Sequence, residues 1–460
     1  MEDKQERYKE KYNIKEFSQK IPGIQETIRK LKDDNSFENQ WNSLIHYDII
    51  SENDEDRKQA NTYFFQFQNN QYQDKMSRSI ACFVGLAIGD SIGNITDGFK
   101  LSYERKDLQG FDSENYQKDL RLPLGMISDD TSLALCLADS FLENKLNIQK
   151  NQKFFNVQDF RHRILLWWYE GYNNGKWGYF KQFFGKKSEI AQNLPELKEN
   201  VRGFWNADSF GVGITIWNSG INFVRRPFSE FCEEKMGNQN ANGSLMRLAP
   251  VPILLRDQME LCLDVSYKQS LATHNGLQAA ECCQVMSYLI IKLINCEIQL
   301  ENNKDVQELL DQIFEQMSKD IEIQDEGVLC LIKSQQQLNF EKDEHNQVLE
   351  DVNWNWKSKV FQYSPTRTKR HEGTSIGAYC MDSLCMALHI IYQSENFEQC
   401  ILKAVNLGGD ADTLGAITGQ IAGALFGICE KMKLWYEQIM KWEEQKVLIR
   451  AYKLFNKNKQ

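Results

Sequence analysis

The sequence lacks several features that would place it in a common structural class. Proline is scarce, at seven of 460 residues, which disfavours a sandwich or barrel built from many short strands and turns. The twelve cysteines include no Cys-x-x-Cys pair, and most lie in apolar stretches, as Cys82, Cys136 and Cys429 do. No signal-like apolar segment precedes the charged residues at the start of the chain. We therefore expect buried, reduced thiols and a cytoplasmic protein.

An excess of basic charge is also missing. The formal net charge is −10 at pH 7, whereas nucleic-acid binding relies on clustered Lys and Arg that neutralise phosphates. The basic stretch at residues 366–371 is a local exception that fits a solvated loop. No uninterrupted apolar run is long enough to cross a bilayer, because the nearest one, residues 414–429, contains Gln420 and is followed by Glu430 and Lys431. We expect a monomer with neither a nucleic acid nor a membrane as partner.

The chain divides by composition into a main domain with polar additions. Residues 1–75 are rich in Gln, Asn, Glu and Lys and form a polar N-terminal extension. Residues 76–430 form the main domain, interrupted by a polar insertion at about 296–374, and residues 431–460 form a helical tail. Apolar residues recur at helical spacing through the main domain, and regular strand alternation is hard to find. The pattern predicts helices at residues 131–142, 160–169, 214–223, 276–294, 306–317, 379–392 and 414–429 in an all-α fold.

Four glycines recur at four-residue spacing in the last of these segments. They are Gly415, Gly419, Gly423 and Gly427, and this spacing places them on one face of a helix. Each glycine costs about 1 kcal/mol relative to alanine in an exposed helix interior. Close approach of a neighbouring helix backbone would compensate, so we predict that this helix lies at the centre of the helical core.

Two short acidic motifs precede apolar helices. One is Ser128-Asp129-Asp130-Thr131, and the other is Gly408-Gly409-Asp410-Ala411-Asp412-Thr413. Either motif alone fits ordinary helix capping, because Asp, Ser and Thr are common N-cap residues that each contribute about 1 kcal/mol. Both helices are too apolar for the surface, however, and buried helices bring their entrances close together.

Converging carboxylates need positive charge between them. One like-charge pair at about 4 Å costs on the order of 4 kcal/mol at an effective dielectric of 20. The candidate ligands are hard oxygens without Cys or His, which favours Mg²⁺, Mn²⁺ or Ca²⁺ over zinc or copper. The two motifs together therefore predict a divalent-cation site.

At these residues the chain resembles the ADP-ribosylglycohydrolase family, which includes the dinitrogenase reductase-activating glycohydrolase. The resemblance runs from about residue 76 to 427 and rests on five motifs in family order: Gly85-Leu86-Ala87-Ile88-Gly89-Asp90-Ser91-Ile92-Gly93, Ser128-Asp129-Asp130-Thr131, Asn242-Gly243-Ser244-Leu245-Met246-Arg247, Thr273-His274 and Val405-Asn406-Leu407-Gly408-Gly409-Asp410-Ala411-Asp412-Thr413. It implies a compact orthogonal helical bundle that holds a binuclear Mg²⁺ centre, with Mn²⁺ as an alternative metal.

The resemblance also implies roles for individual residues. The implied metal ligands are Ser128, Asp129, Asp130, Asp410, Asp412 and Thr413. Ser128 stands where the family more usually has Thr, and the hydroxyl oxygen is retained. Asp97 stands where the family often has Glu. Because Asp is one methylene shorter, either its loop lies closer to the metals or the acid-base role has moved to a metal-ligating aspartate such as Asp130.

Further motif residues resemble the family's ligand-binding segments. Gly211 and Gly213 resemble a glycine-rich segment that lets backbone amides approach a diphosphate, although a helix-entry turn explains them equally well. Asn242, Gly243 and Ser244 fit the loop beside the ligand. His274 resembles a ligand-contacting histidine, and a capping or core role is the alternative.

The implied activity is hydrolysis of the bond between the ribose anomeric carbon of ADP-ribose and its acceptor, with paired metals orienting the sugar and activating water. The partner would be an ADP-ribosylated protein or another ADP-ribose conjugate. The motif at residues 405–420 favours arginine-linked ADP-ribose over serine-linked or acetylated ADP-ribose. Two alternatives remain: a non-catalytic ADP-ribose-binding or structural protein of this fold, and a metal-dependent phosphoryl hydrolase.

Overall fold

The computed structural model describes the chain over residues 54–68, 73–98, 107–111, 122–143, 155–170, 172–174, 211, 213–225, 229, 231–232, 239–297, 300, 302–336, 353–359, 361 and 377–457. The helices in these residues are α1 (Asp54–Gln66), α2 (Lys75–Gly93), α3 (Asp129–Glu143), α4 (Val157–Glu170), α5 (Ile214–Arg225), α6 (Pro250–Leu254), α7 (Met259–Leu271), α8 (Leu277–Ile294), α9 (Asn303–Asp320), α10 (Glu326–Lys333), α11 (Cys380–Tyr392), α12 (Phe397–Val405), α13 (Ala411–Phe426), α14 (Glu430–Glu443) and α15 (Lys446–Lys457). A 3₁₀ turn spans Asn242–Ser244.

The described part of the chain contains no β-strand, only isolated bridges such as that between Ala241 and Tyr379. The predicted all-α class is therefore confirmed. One helix, Leu277–Ile294, is long and apolar enough to cross a membrane, and 83% of it is buried inside the protein. Core helices of this length and composition satisfy the same criterion, so the observation is weak evidence for a membrane span.

Helices α2 and α13 form the centre of the molecule and touch through their glycines. A Cβ atom added to Gly415 would lie 2.3 Å from the Gly89 carbonyl oxygen, and one added to Gly419 would lie 2.0 Å from that of Gly85. Any side chain at these positions would push the two helix backbones apart. The predicted close approach of a neighbouring helix is therefore confirmed for these glycines.

The two helices run antiparallel, since the glycine contacts pair increasing residue numbers in α2 with decreasing numbers in α13. Gly423 lies against Ala81 near one end of the pair, and Gly93 lies against Asp412 near the other. The end of α2 therefore adjoins the beginning of α13. This arrangement brings the loop that follows α2 to the entrance of the glycine-striped helix.

The bounds of α13 differ from the sequence-based expectation. The helix begins at Ala411, three residues earlier than predicted, and it ends at Phe426. The prediction that Gly427 belongs to the helical stripe is therefore wrong, because Gly427 follows the last helical residue. It adopts a φ of 69° at the end of the helix, in the left-handed region that glycine tolerates, and its N–H donates to the Gly423 carbonyl oxygen.

The last two helices are packed into the domain. Arg450 on α15 forms a buried ion pair with Asp139 on α3, with 3.0 Å between Nε and Oδ1. Helix α1 also joins the core, because Phe64 is fully buried and packs edge-on against Tyr436 of α14. Residues 54–66 of the polar extension thus contribute to the fold, while the division of the chain into extension, main domain and tail stays a prediction.

The described part of the polar insertion contains two packed helices. Helix α9 covers the predicted amphipathic segment at residues 306–317, and its buried side chains include Val306, Leu310 and Met317. Helix α10 follows with Val328 and Leu331 in the core. The basic stretch at residues 366–371 lies outside the described residues.

Candidate functional site

Both acidic motifs lie at helix entrances that meet at one place. Asp129 and Asp130 open α3, and Asp410 and Asp412 flank the first residue of α13. Ligand oxygens of Asp90, Asp130 and Asp412 lie within 4.8 Å of one another. The two motifs, separated by almost 280 residues in the sequence, therefore form one acidic cluster, as predicted.

Asp90 is a cluster member that the sequence analysis quoted only as part of a motif. It is fully buried on α2, and its carboxylate accepts the backbone N–H groups of Ser128 (3.0 Å) and Thr131 (3.1 Å) as well as the Thr131 hydroxyl. Asp90 thus caps α3 from a neighbouring helix. A buried acid inside the apolar Gly85–Gly93 motif was the available signal. Because the cap comes from outside, Asp129 and Asp130 are not needed for it.

Asp410 accepts a hydrogen bond from a side chain outside its own helix. It occupies the N-cap position of α13, yet it forms no side-chain capping hydrogen bond. Instead, the Asn242 amide donates to Asp410 Oδ2 (2.6 Å) and to Ser383 Oγ (3.0 Å). Ordinary capping therefore does not explain Asp410. Ser383, on α11, was missed by sequence reasoning because nothing in the sequence links α11 to this loop.

Glycines and backbone bonds shape the loops around the cluster. Gly408 and Gly409 have φ values of 72° and 69°, which side-chain-bearing residues rarely adopt, so the chain can turn sharply into α13. The Gly98 N–H donates to the Gly409 carbonyl oxygen (2.7 Å), and the Thr96 hydroxyl donates to that of Val405. These bonds pin the loop after α2 onto the loop before α13.

This pinning places Asp97 in the cluster despite its short side chain. Its carboxylate lies within 4.8 Å of ligand oxygens of Asp410 and Asp412. Asp97 is half-buried, whereas Asp130 is only 1% exposed, so Asp97 lies toward solvent. Of the two alternatives for Asp97, the geometry favours a loop that lies close to the ligand oxygens.

Burial and mutual repulsion raise the pKa values across the cluster. The pKa of Asp130 is well above its usual range because the group is buried and lies near Asp90, Asp129 and Asp410. Burial and then Asp412 raise the pKa of Asp129, while burial and then Asp130 raise that of Asp412. Without a cation, the cluster therefore favours partial protonation.

The donor set fits a divalent cation. Asp130 Oδ1 is buried with no hydrogen-bond partner among the described residues, and Oδ2 accepts from the Ser128 hydroxyl (3.0 Å). Asp129 and Asp412 are each 8% exposed, and Thr413 is 5% exposed. An unpaired buried carboxylate oxygen is costly unless something positive occupies the space beside it. Grouped carboxylates with an adjacent hydroxyl suit Mg²⁺, Mn²⁺ or Ca²⁺.

Of the two glycines predicted to approach a diphosphate, one is tightly placed. A Cβ atom on Gly211 would lie 2.1 Å from Asp129 Oδ1, so the backbone there passes directly against the acidic cluster, with a φ of 86°. A Cβ atom on Gly213 would meet nothing within 4 Å. Close packing therefore demands glycine at residue 211 and not at residue 213. A diphosphate-binding role for either residue stays a prediction.

The turn Asn242–Ser244 and His274 are neighbours, as their motifs suggested. A Cβ atom on Gly243 would lie 3.0 Å from His274 Nε2. The Ser244 hydroxyl is fully buried and accepts from Ser270 Oγ (2.8 Å), so it belongs to the interior. Asn242, for its part, binds Asp410. Among these residues, the ring edge of His274 lies against the backbone at Gly243, and a ligand-binding role for them stays a prediction.

Comparison with known proteins agrees with this geometry. A family model described as ADP-ribosylglycohydrolase matches residues 71–460. The chain is 25% identical over 371 residues to the ADP-ribosylarginine hydrolase Tri1 of Serratia proteamaculans, covering 80% of this chain and 77% of that protein. It is 34% identical over 87 residues to the ADP-ribosyl-[dinitrogen reductase] glycohydrolase of Rhodospirillum rubrum, which covers 19% of this chain and 29% of that protein.

More distant relatives extend over a similar share of the chain. The human ADP-ribosylhydrolase ARH3 is 20% identical over 403 residues, covering 83% of this chain and 95% of that protein. A solved structure named as an ADP-ribosylglycohydrolase-related protein complex superposes with a TM-score of 0.51 at 21% identity, covering 83% of this chain and 99% of that one. At this identity the superposition supports the shared helical fold.

Proposed function

The chain belongs to the ADP-ribosylglycohydrolase family, and we propose that it hydrolyses the bond between ADP-ribose and an arginine side chain of a modified protein. The arginine linkage is supported by the relatives named as ADP-ribosylarginine hydrolases, which match four-fifths of the chain. Serine-linked and acetylated ADP-ribose are the alternative substrates.

One observation carries the proposal: two acidic motifs far apart in sequence meet at the junction of α3 and α13, where Asp90 caps α3 and Asp410 makes no capping hydrogen bond of its own. Packing alone would not gather several aspartates at buried helix entrances, because like charges repel strongly there. A purely structural or binding role therefore leaves the cluster unexplained.

We propose that the cluster holds two Mg²⁺ ions, with Mn²⁺ as a possible substitute. Ser128, Asp129 and Asp130 would bind from α3, and Asp410, Asp412 and Thr413 from α13. When bound, paired divalent cations stabilise developing negative charge and lower the pKa of water. Asp90 and Asn242 would hold these ligands in place without binding the metals. Asp90 accepts a backbone N–H at the entrance of α3, and Asn242 donates to Asp410.

Asp97 is the residue best placed to move a proton. It is half-buried at the edge of the cluster, where it can exchange protons with solvent. Asp130 lies deeper, and its unpartnered Oδ1 suits a ligand more than an acid-base. We propose that Asp97 takes a proton from the attacking water and passes a proton to the leaving nitrogen, because hydrolysis breaks the C–N bond, joins the OH of water to the anomeric carbon and leaves its hydrogen on the acceptor.

The proposal is tested with arginine-ADP-ribosylated protein as substrate, incubated with Mg²⁺ or with chelator and followed by mass spectrometry. Release of free ADP-ribose that depends on the metal supports the proposal. Release of AMP would instead indicate attack on the diphosphate. Binding of ADP-ribose without release from arginine-linked, serine-linked or acetylated substrates would identify a binding protein.

We also propose that the protein works in the cytoplasm. All twelve cysteines are free thiols, and most of them, such as Cys82 and Cys283, are buried. A reducing compartment suits such a set. Localisation of the tagged full-length chain by microscopy tests this.

A further inference from the structure

Arg247 is a buried cation held by neutral groups. Its side chain is 0% exposed, and its guanidinium stacks over the Phe160 ring at 4.9 Å. Nε donates to Gln269 Oε1 (3.1 Å), and Nη2 donates to the Gln269 carbonyl oxygen (2.9 Å) and to Thr273 Oγ1 (2.8 Å). No carboxylate pairs with it among the described residues. Burying a cation in this way is costly, which suggests that Arg247 serves more than packing.

The contact with Thr273 fixes the direction of a hydrogen bond to His274. Thr273 Oγ1 lies 2.7 Å from His274 Nδ1, and both side chains are buried. Arginine can only donate, so Oγ1 accepts from Arg247 and has its single hydrogen left to give. Among the residues that the structure describes, His274 Nδ1 is the acceptor that this hydroxyl hydrogen can reach. If Nδ1 carried a proton instead, a buried hydroxyl hydrogen would be left without a partner.

The ring proton of His274 therefore belongs on Nε2, at the edge that faces Gly243. A Cβ atom at residue 243 would lie 2.9 Å from His274 Cε1 and 3.0 Å from Nε2. Glycine at this position therefore leaves the ring edge uncovered by a side chain. The preceding residue, Asn242, binds Asp410 of the acidic cluster. The Nε2–H group thus faces the turn whose Asn242 holds Asp410 of the acidic cluster.

We propose that Arg247 and Thr273 are positioning residues that hold His274 as a neutral Nε2–H donor, which hydrogen-bonds an oxygen of the bound ADP-ribose. The ligand part of this inference rests on the proposed function; the relay from Arg247 through Thr273 does not. In agreement, burial and then the charge of Arg247 lower the pKa of His274 to about 3, so the ring stays neutral at physiological pH. His274 would act as a donor and not as a general base.

The relay is tested first on the unliganded full-length protein by nitrogen-15 NMR of labelled histidine. The chain has six histidines, and the variant His274→Gln identifies the signals of His274. The expected result is an Nε2–H tautomer that does not titrate between about pH 5 and pH 8. A proton on Nδ1, or titration of His274 in this range, would overturn the relay, and neither result depends on whether ADP-ribose binds.

Matched variants separate the relay from general packing. Thr273→Val keeps the side-chain shape and removes the hydroxyl, so His274 should lose the single Nε2–H form, and Thr273→Ser should restore it. Thr418→Val is the control, because the Thr418 hydroxyl is buried without a hydrogen-bond partner among the described residues. An unchanged tautomer in Thr273→Val contradicts the proposal. If that variant does not fold, the wild-type spectrum and Thr273→Ser decide.

Calorimetric titration with ADP-ribose tests the ligand contact. Thr273→Val should bind ADP-ribose about tenfold more weakly, as expected for one misdirected hydrogen bond, while Thr273→Ser and Thr418→Val should bind like the wild type. Equal affinity in all variants would overturn the donor role of His274. A wild type that binds ADP-ribose without releasing it would overturn the proposed function while leaving the relay intact.

Discussion

Replacing Gly93 with alanine should displace the entrance of α13, which carries Asp412 of the acidic cluster. Gly93 ends α2, and a Cβ atom there would lie 2.4 Å from Asp412 Cα and 2.5 Å from the Ala411 carbonyl oxygen, where ordinary contacts begin at 3.4 Å. Its φ is not in the left-handed region, so alanine fits the local backbone. The strain must therefore be relieved by moving the entrance of α13 by about 1 Å.

A shift of this size should be visible in both metal binding and turnover. Misplacement by about 1 Å can reduce activity by about 100-fold. We expect Gly93→Ala to weaken Mg²⁺ or Mn²⁺ binding and to lower kcat/KM for ADP-ribose release by about that factor. Overpacking should also lower the free energy of unfolding by about 1–3 kcal/mol. Calorimetry, a product-release assay and chemical denaturation measure the three effects.

Gly423→Ala is the matched control for this experiment. A Cβ atom there would lie 2.0 Å from the Ala81 carbonyl oxygen, so the steric conflict between α2 and α13 is at least as severe. Gly423 lies about 16 Å along α13 from Asp412 at 1.5 Å per residue. The substitution Gly423→Ala should lower the free energy of unfolding to a similar degree as Gly93→Ala and should change the metal affinity much less. The reasoning is refuted if Gly93→Ala keeps wild-type metal affinity and activity, or if Gly423→Ala loses as much of both.

Three further predictions concern single carboxylates. Asp129→Asn and Asp412→Asn should each abolish turnover with the helical circular dichroism signal retained, because each removes the charge of a proposed metal ligand without changing volume; unchanged activity in both would contradict the proposed site. Asp97→Asn should lower kcat by at least about 10²-fold, whereas Asp97→Glu should keep more activity in the same assay, and equal loss would argue against a proton-transfer role. Burial raises the pKa of Glu443 from its usual 4.5 to about 7. The folded state therefore binds a proton more tightly than the unfolded state does. The free energy of unfolding should fall by at most roughly 3 kcal/mol as the pH rises between these two pKa values. Glu443→Gln should make this slope shallower in denaturation series, since the buried aspartates with raised pKa values contribute to it as well. An identical slope in wild type and variant would exclude a contribution from Glu443.

The sequence predicted the centre of the fold because its signal was local. Glycines at four-residue spacing, such as Gly415 and Gly419, leave a helix face without side chains, and only another backbone can fill that gap. The end of the stripe was not predictable in the same way. Gly427 continues the spacing, yet it takes a left-handed φ after the last helical residue, and spacing alone does not distinguish a helical glycine from a terminating one.

The acidic motifs were predictable, but the groups behind them were not. Asp129 and Asp412 stand in motifs with a recognisable composition, and the structure brings these motifs together. The groups that hold Asp410, by contrast, come from distant segments, since Asn242 donates to Asp410 and to Ser383 only in the folded chain. Such contacts depend on tertiary packing, and no spacing in the sequence encodes them.

The glycine contact and the acidic cluster depend on each other. The antiparallel pairing sets the end of α2 against the beginning of α13, and the bond from Gly98 to Gly409 then ties the two adjoining loops together. This short path lets an aspartate at residue 97 reach the cluster, where a longer loop would need a longer side chain. The same closeness buries the carboxylates and concentrates their negative charge, and burial together with that charge raises the pKa values of Asp130 and Asp412. The repulsion opposes the packing that creates it. Cations bound at the cluster would remove that opposition, so metal binding and the close approach of the two central helices should stabilise each other.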